Sequence, residues 1–354
     1  TAEGLSVEKD RLCVYLDLTH IPRETLDRKL GGILEIYEKF QGVDPRSMPM
    51  KIFPAVHYSM GGLWVDYERS SDGGMEEGSP RNQQTNIPGL YAIGECDYQY
   101  HGANRLGANS LLSCIFSGLF VAPTLARVAG VAGGGDTGRL FEAELRRQEE
   151  RHRELLSRTA GTENPYGLHQ ELGNLMTRVA TVVRRNDQLA EAYGEVCEME
   201  ERWRRCAVSD TGNWTNQNVV FTKAVGDMFP VAKLILKGAL QRDECRGAHF
   251  KPEFSMPGIA ATDPVEKRAE AELWCDRFEE NSAKWLKSTI AACGPDGHPE
   301  ITYQDVDTSL IPPRPRLYGL VGAEVIEEVW KERLAARAAA NGHAQGAVAM
   351  AAAH

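Results

Sequence analysis

The sequence predicts an α/β protein whose second half is a helical bundle. Three observations carry that prediction. Near the start, Leu12, Val14, Leu16 and Leu18 alternate along the chain, and the apolar residues of the next segment recur every three or four positions. Further on, in "TNIPGLYAIGECDYQYHGANRLGANSLL", a turn, a short apolar run, an acidic residue and a glycine-rich loop lead directly into an apolar segment. Finally, Leu168, Leu172, Leu175, Met176, Val179 and Val183 form one continuous stripe at helical spacing.

Taken in order, the alternation in "RLCVYLDLTH" is the period of a strand with one buried face. Pro22 then sits where a first helical turn tolerates it, and Leu26, Leu30, Ile33 and Tyr37 make "PRETLDRKLGGILEIYEKF" an amphipathic helix. "MKIFPAVHYSMGGLWVDY" reads as a strand entering a site, a tight turn and a strand leaving it, because Pro54 and Gly61-Gly62 interrupt an extended run. Residues 69–86 are a polar loop, and "IPGLYAIGE" is a turn and a short buried strand. The segment 109–128 is apolar nearly all round and is therefore expected to be a buried helix. A formal G-x-G-x-x-G at Gly133, Gly135 and Gly138 follows a helix rather than a strand, and so reads as a linker and not as a dinucleotide fingerprint. From 139 to 241 the pattern is helical, with "FEAELRRQEERHRELL" exposed and the apolar stripe at the centre of an antiparallel bundle. Beyond it lie a helix near 264–287, the extended "EITYQDV", the Pro-rich "IPPRPR" and an Ala-rich tail without packing periodicity, expected to be disordered.

Composition narrows the function classes. The 354 residues are 42% hydrophobic and 25% charged, enough for a sizeable core and for more than one domain. A formal charge of −10 without a compensating basic stripe argues against a nucleic-acid partner. The eight cysteines are scattered, with no C-x-x-C and no histidine at finger spacing, so neither a metal site nor a disulfide framework is expected and a reducing compartment fits best. No run approaches the ~20 consecutive apolar residues that span a bilayer. The chain starts at Thr1 without a signal-peptide pattern, which leaves open that it is a segment of a longer polypeptide.

Two segments concentrate what a site needs. In "HYSMGG", His57 stands just before a glycine pair at the end of an extended run. In the second, Glu95 closes a predicted strand, where a carboxylate can accept hydrogen bonds from sugar-like hydroxyls. The helix after it presents the free N–H groups of Asn109, Ser110 and Leu111, with the positive end of its dipole, to an electron-rich ligand. Arg105 is the charged group nearest that helix start. Its planar guanidinium suits a carboxylate, which it binds through two parallel hydrogen bonds. Gly102 and Gly107 around it indicate backbone that approaches something closely.

These residues carry a family resemblance. The run "MKIFPAVHYSMGGLWVDY … TNIPGLYAIGECDYQYHGANRLGANSLLSCIFSG" resembles the flavoprotein subunit of succinate dehydrogenase and fumarate reductase. "VYLDLTH" upstream and "RDECRGAHFKPEF" downstream support it, the latter with Cys245 where the family usually has serine. The resemblance runs from about residue 10 to about residue 320. It implies that His57 and Arg105 grip a carboxyl group of a dicarboxylate, that Glu95, Ser110 and Leu111 contact FAD, and that Tyr58 and Asn109 are flavin neighbours. His101 and Asn104 would shape the loop. The implied reaction interconverts succinate and fumarate by hydride transfer between substrate carbon and flavin, with His57 and Arg105 orienting and polarising the substrate.

The resemblance also implies an organisation: the end of a capping domain at 1–53, the returning half of a partial Rossmann-like FAD-binding domain at 54–130, a helical bundle at 131–260, a small α+β domain at 261–330 and a disordered tail at 331–354. The family's N-terminal G-x-G-x-x-G, flavin-linking histidine, H-P-T-type segment and proton-shuttling arginine have no counterpart here. The chain is therefore expected to be the carboxyl-terminal part of the subunit and not to take up stoichiometric flavin unaided, which a flavin spectrum of the purified chain would test. Implied partners are an iron–sulfur subunit and a cytochrome b membrane anchor with its quinone, at the cytoplasmic face of the membrane. L-Aspartate oxidase shares a similar arginine loop and is the nearest rival; a non-catalytic helical interaction protein is the rival from another class.

Overall fold

A computed structural model describes residues 6–8, 13–53, 55–129 and 138–341. The chain groups into two compact units, divided in sequence between Ser59 and Met60.

The first unit holds β1 (Val14–Leu16), α1 (Arg23–Gln41) and β2 (Met50–Ile52), with β1 and β2 paired antiparallel so that Tyr15 faces Lys51. Helix α1 forms for the reason its spacing gave. Leu26 is buried against Leu18 and Met50, with Leu30 and Tyr37 beside it, but Ile33, expected on the same face, is exposed, and its neighbour Leu34 is the residue that completes the core. Gly42 ends the helix in the left-handed region, φ 68°, where its amide closes on the Glu38 carbonyl.

The second unit begins with residues that form turns and isolated bridges rather than strands. Leu63 bridges Asp97 in parallel and Gln84 bridges Tyr91, but neither 55–67 nor 87–93 becomes a strand among the described residues. This corrects the extended runs expected there. A strand needs a ladder of hydrogen bonds to its neighbours, and here 83–85 and 96–98 meet the two runs only through isolated bridges and hydrogen bonds, such as those of Asp66 with Gln84 and Gln83 and of Ala92 with Gln83. Consistent with that, Leu63, Leu90 and Ile93 are each about half exposed.

The apolar segment that follows is two helices, α2 (Asn109–Phe120) and α3 (Ala122–Ala129), with Pro123 at the start of the second. It also departs from expectation, since Leu111, Leu112, Ile115 and Leu119 are exposed while Ser113 and Ser117 are buried. Apolar composition specifies burial without specifying the cover, and within the described residues this helix is covered on one side only. The apolar residues of the segment are interrupted by serines, Thr124 and Arg127, yet by length and mean composition Asn109–Val128 is long and apolar enough to cross a membrane, a property that core helices of soluble proteins share. Gly133 and Gly135 lie outside the described residues.

Helices α4 (Gly138–Ser157), α5 (Pro165–Ala180), α6 (Asn186–Trp203) and α7 (Gln217–Gln241) form the expected bundle. Its core joins Leu168, Leu172, Leu175 and Val179 of α5 to Leu189 and Val196 of α6 and to Val225, Phe229 and Leu236 of α7. Asn164 and Asn216 cap α5 and α7 by accepting from backbone amides. Helix α8 (Pro264–Trp285), capped by Asp263, packs against α9 (Ala323–Asn341) around Trp274, Cys275, Ile326 and Trp330. The stretch 331–341, expected to be disordered, is thus helical, and 342–354 lie outside the described residues. Between these helices, β3 (Lys287–Cys293) and β4 (Pro299–Asp305) form an antiparallel hairpin in which Ile290 faces Thr302.

Candidate active site

Three of the quoted motifs meet in one cavity of the second unit. It has a volume of about 490 Å³ and is lined by Met60, Gly61 and Gly62 of "HYSMGG", by Gly102 and Ala103 of "HGANRLG", and by Arg246, Ala248 and His249 of "RGAH". Helix α7 contributes Leu234 and Gly238, and β3 contributes Ser288 and Thr289. The glycine pair is where it is because of a close approach. A Cβ on Gly62 would lie 2.3 Å from the Cys96 carbonyl oxygen, and the Leu63 amide donates to that same oxygen at 2.7 Å.

The other candidate residues are arranged around the start of α2. Ala108 precedes the helix in the left-handed region at φ 66°, a conformation that costs a non-glycine residue roughly 1 kcal/mol. No side chain caps this end, but the Asn109 amide already donates to the Leu106 carbonyl at 3.3 Å, so of the three expected donors only those of Ser110 and Leu111 are left for a ligand among the described residues. Glu95 is exposed on the tight turn Gly94–Cys96, which packs on α2 so closely that a Cβ on Gly94 would meet the Cys114 sulfur at 2.9 Å. The structure therefore brings the Glu95 turn to the same helix as Asn109, Ser110 and Leu111. Arg105 is half-buried in the loop between, where its Nη1 donates to the Leu106 carbonyl at 3.3 Å. His57 and Tyr58 belong to the first unit, His57 exposed and Tyr58 buried.

Sequence reasoning missed the groups that hold these elements in place. Buried Gln83 donates from Nε2 to Asp97 at 3.0 Å and to Ser117 of α2 at 3.1 Å, and Tyr100 reaches the same serine hydroxyl. Burial raises the Asp97 carboxyl above its usual range, against the opposing effect of the Gln99 amide. A second cluster adjoins the cavity, whose lining includes its Arg184, Arg242, Arg246 and His249. Glu244, fully buried, pairs with Arg242 and Arg246, and fully buried Lys251 donates to Asn186, Asp243 and the Leu240 carbonyl. The density of charge in "RDECRGAHFK" was the available signal.

His249 is the titratable centre of that cluster. An arginine can only donate, so the 2.7 Å contact from Arg184 Nη1 makes Nδ1 the acceptor, and Nε2 then carries the proton given to the Arg242 carbonyl at 2.8 Å. Burial lowers its pKa to about 4, and that carbonyl opposes the shift only in part. The folded state thus binds fewer protons than the unfolded state between about pH 4 and pH 6.5, so this contribution is fully present above pH 6.5 and is lost as pH falls towards 4. It amounts to about 3 kcal/mol. We expect urea unfolding midpoints to fall across that window, and the fall to be shallower in His249→Gln, whose amide can keep both hydrogen bonds without titrating; equal slopes would refute the assignment.

Comparison with known proteins matches this geometry to a family. Residues 169–318 match the model of the fumarate reductase flavoprotein C-terminal region, and residues 2–111 match the model of an FAD-binding domain. The chain is 46% identical over 309 residues to the succinate dehydrogenase flavoprotein subunit of Bacillus subtilis, covering 86% of this chain and 46% of that protein. It is 30% identical to the fumarate reductase flavoprotein subunit of Escherichia coli, with 86% and 45% covered. Among solved structures, an Escherichia coli quinol fumarate reductase flavoprotein superposes with a TM-score of 0.68 at 30% identity, over 87% of this chain and 46% of that one. A quinol–fumarate reductase determined with menaquinol gives a TM-score of 0.65 at 29% identity, over 85% and 46%. The chain spans about half the length of the curated relatives it matches. Two family models along its length, 46% identity to a relative over 86% of the chain and a shared fold make this chain a member of the succinate dehydrogenase and fumarate reductase flavoprotein-subunit family.

Proposed function

We propose that the chain forms the substrate-binding and helical part of a flavoprotein that interconverts succinate and fumarate with FAD. The observation that carries this reading is the convergence of the "MGG", "HGA" and "RGAH" segments on one cavity, with the Arg105 loop on its wall. In finer terms, residues 1–53 would close a capping domain, 54–130 would complete a Rossmann-like flavin domain, and 131–260 would be its bundle, followed by a small α+β domain at 261–330.

The residues present fit one side of an FAD site. The uncapped α2 amides offer donors to an electron-rich group, the exposed Glu95 carboxylate offers an acceptor for hydroxyls, and exposed Leu111 and Leu112 offer apolar surface. Asn109 and Tyr58 are proposed as neighbours of the same group. Bound there, FAD would supply a two-electron acceptor for hydride.

The chain's own part is positioning. Arg105 would bind one carboxylate through two charge-assisted hydrogen bonds and so fix which carbon faces the acceptor. In the reducing direction its charge would draw electron density from fumarate as hydride arrives. His57 is proposed as a further carboxylate-binding group. The partners proposed are an iron–sulfur subunit and a cytochrome b anchor with quinone, which would hold the protein peripherally at the cytoplasmic face of the membrane.

The test is to express the complete flavoprotein subunit carrying this sequence and to measure succinate oxidation, fumarate reduction and L-aspartate oxidation with artificial electron carriers. Turnover of succinate and fumarate with negligible turnover of aspartate is expected. Preferential oxidation of aspartate, or no turnover of any of the three by a fully flavinated subunit, would overturn the reading.

A further inference from the structure

The turn Arg246–His249 meets the arginine loop backbone to backbone. Gly247 has φ +58°, and a Cβ there would lie 2.2 Å from the Ala103 carbonyl oxygen and 2.9 Å from Asn104 Cβ. That same oxygen accepts from the Ala248 amide at 2.9 Å. The contact falls two residues before Arg105.

The two sides of this contact differ in how firmly they are held. Arg246 and His249 exchange backbone hydrogen bonds at 2.9 and 3.0 Å, Glu244 pins Arg246, and the Arg184 amide donates to the Phe250 carbonyl at 3.0 Å, which ties the turn to the connection between α5 and α6. The loop, by contrast, contains Gly102 and Gly107 and left-handed Ala108, and its own backbone bonds are the single turns Asn104 to His101 and Asn109 to Leu106. Oriented recognition needs a guanidinium held to a tolerance of roughly 0.5 Å, and contact with a firmly held turn narrows the positions that such a loop can take.

We propose that the Arg246–His249 turn is a brace, carried by the helical bundle, that positions Arg105 for its dicarboxylate by fixing the Ala103 carbonyl. Gly247 and Ala248 are positioning residues in this account, and they act through Arg105. The proposal rests on the reading of Arg105 as a carboxylate-binding residue. It explains why residue 247 has no side chain: a methyl group there must push the loop away by about 1 Å to reach ordinary contact, a misplacement of the size that costs on the order of 10²-fold in rate.

The experiment is a double-mutant cycle in the complete, flavinated subunit, read as malonate affinity and as kcat and KM for fumarate. Gly247→Ala should weaken malonate binding and raise KM by roughly 10- to 100-fold, with flavin content unchanged. In an Arg105→Ala background the same substitution should cost less than about 2-fold, because the residue it positions is gone. Equal losses in the two backgrounds, or no loss beside intact Arg105, would overturn the brace and leave the substrate reading standing. Unchanged malonate affinity in Arg105→Ala alone would overturn the substrate reading and the brace with it. Should Gly247→Ala fail to fold, hydrogen exchange on the unsubstituted protein decides: malonate should slow exchange at Ala248 together with residues 101–105, and slowing of the loop without Ala248 would refute the proposal.

Discussion

Replacing Arg105 by alanine is expected to lower kcat/KM for fumarate by roughly 10²- to 10⁴-fold in the complete subunit. Two hydrogen bonds between a guanidinium and a carboxylate contribute about 1.5–3 kcal/mol each, and alanine removes both together with the positive charge. Orientation would be lost with affinity, since the substrate carboxylate would no longer have a planar partner to align it. Arg105→Lys should recover only part of the loss, because an ammonium supplies the charge but not the paired, planar geometry. Steady-state kinetics and malonate titration of the two variants provide the check. Near-normal kcat/KM in Arg105→Ala, or full recovery in Arg105→Lys, would contradict the role assigned to this residue.

The largest effect on stability is expected at Lys251. Its side chain is fully buried, and its Nζ donates to Asn186 Oδ1 at 2.6 Å, to the Leu240 carbonyl at 3.0 Å and to Asp243 Oδ1 at 3.0 Å. Lys251→Met keeps the volume and removes the charge, which leaves the Asp243 carboxylate without its cation and Asn186 and Leu240 with unmet acceptors. Because Asp243 is 40% exposed and solvent screens its carboxylate, the cost comes mainly from the unmet buried acceptors and amounts to about 1–3 kcal/mol. Asp243→Asn added to Lys251→Met should restore part of that, because the second substitution removes the uncompensated charge. Urea unfolding of the purified chain measures both, and a Lys251→Met midpoint within error of the parent would refute the prediction.

The legible parts of the fold share one property. Helices α1 and α5 carry their own hydrogen bonds and announce a buried face by spacing, so Leu26, Leu168 and Leu172 are where the pattern put them, whereas Ile33 of the expected α1 face is exposed and Leu34 takes the core position beside it. The runs at 55–67 and 87–93 are different. Their apolar residues suit a sheet, but a strand is defined by neighbours, and the described residues provide only isolated bridges. β3 escaped notice because "KSTIAAC" has no clean alternation, and it is the hairpin partner β4 that makes it a strand. Helix α2 was recognisable as apolar, but its exposed Leu111, Leu112, Ile115 and Leu119 show that apolarity alone does not name a cover.

By itself, the sequence determined the chemical inventory of this protein: an arginine set among glycines before a helix start, a carboxylate at the end of the preceding segment, a histidine before a glycine pair, and the family that these runs resemble. The tertiary structure decided which of them share a place. It set Met60–Gly62, Gly102–Ala103 and Arg246–His249 around one cavity, and it set Gly247 against the Ala103 carbonyl across more than a hundred residues of chain. It also decided that His249 is a neutral donor and acceptor between Arg184 and Arg242. The physical reason is that residue types and local periods are written along the chain, whereas burial, proton position and backbone contact depend on segments that meet only in the folded protein.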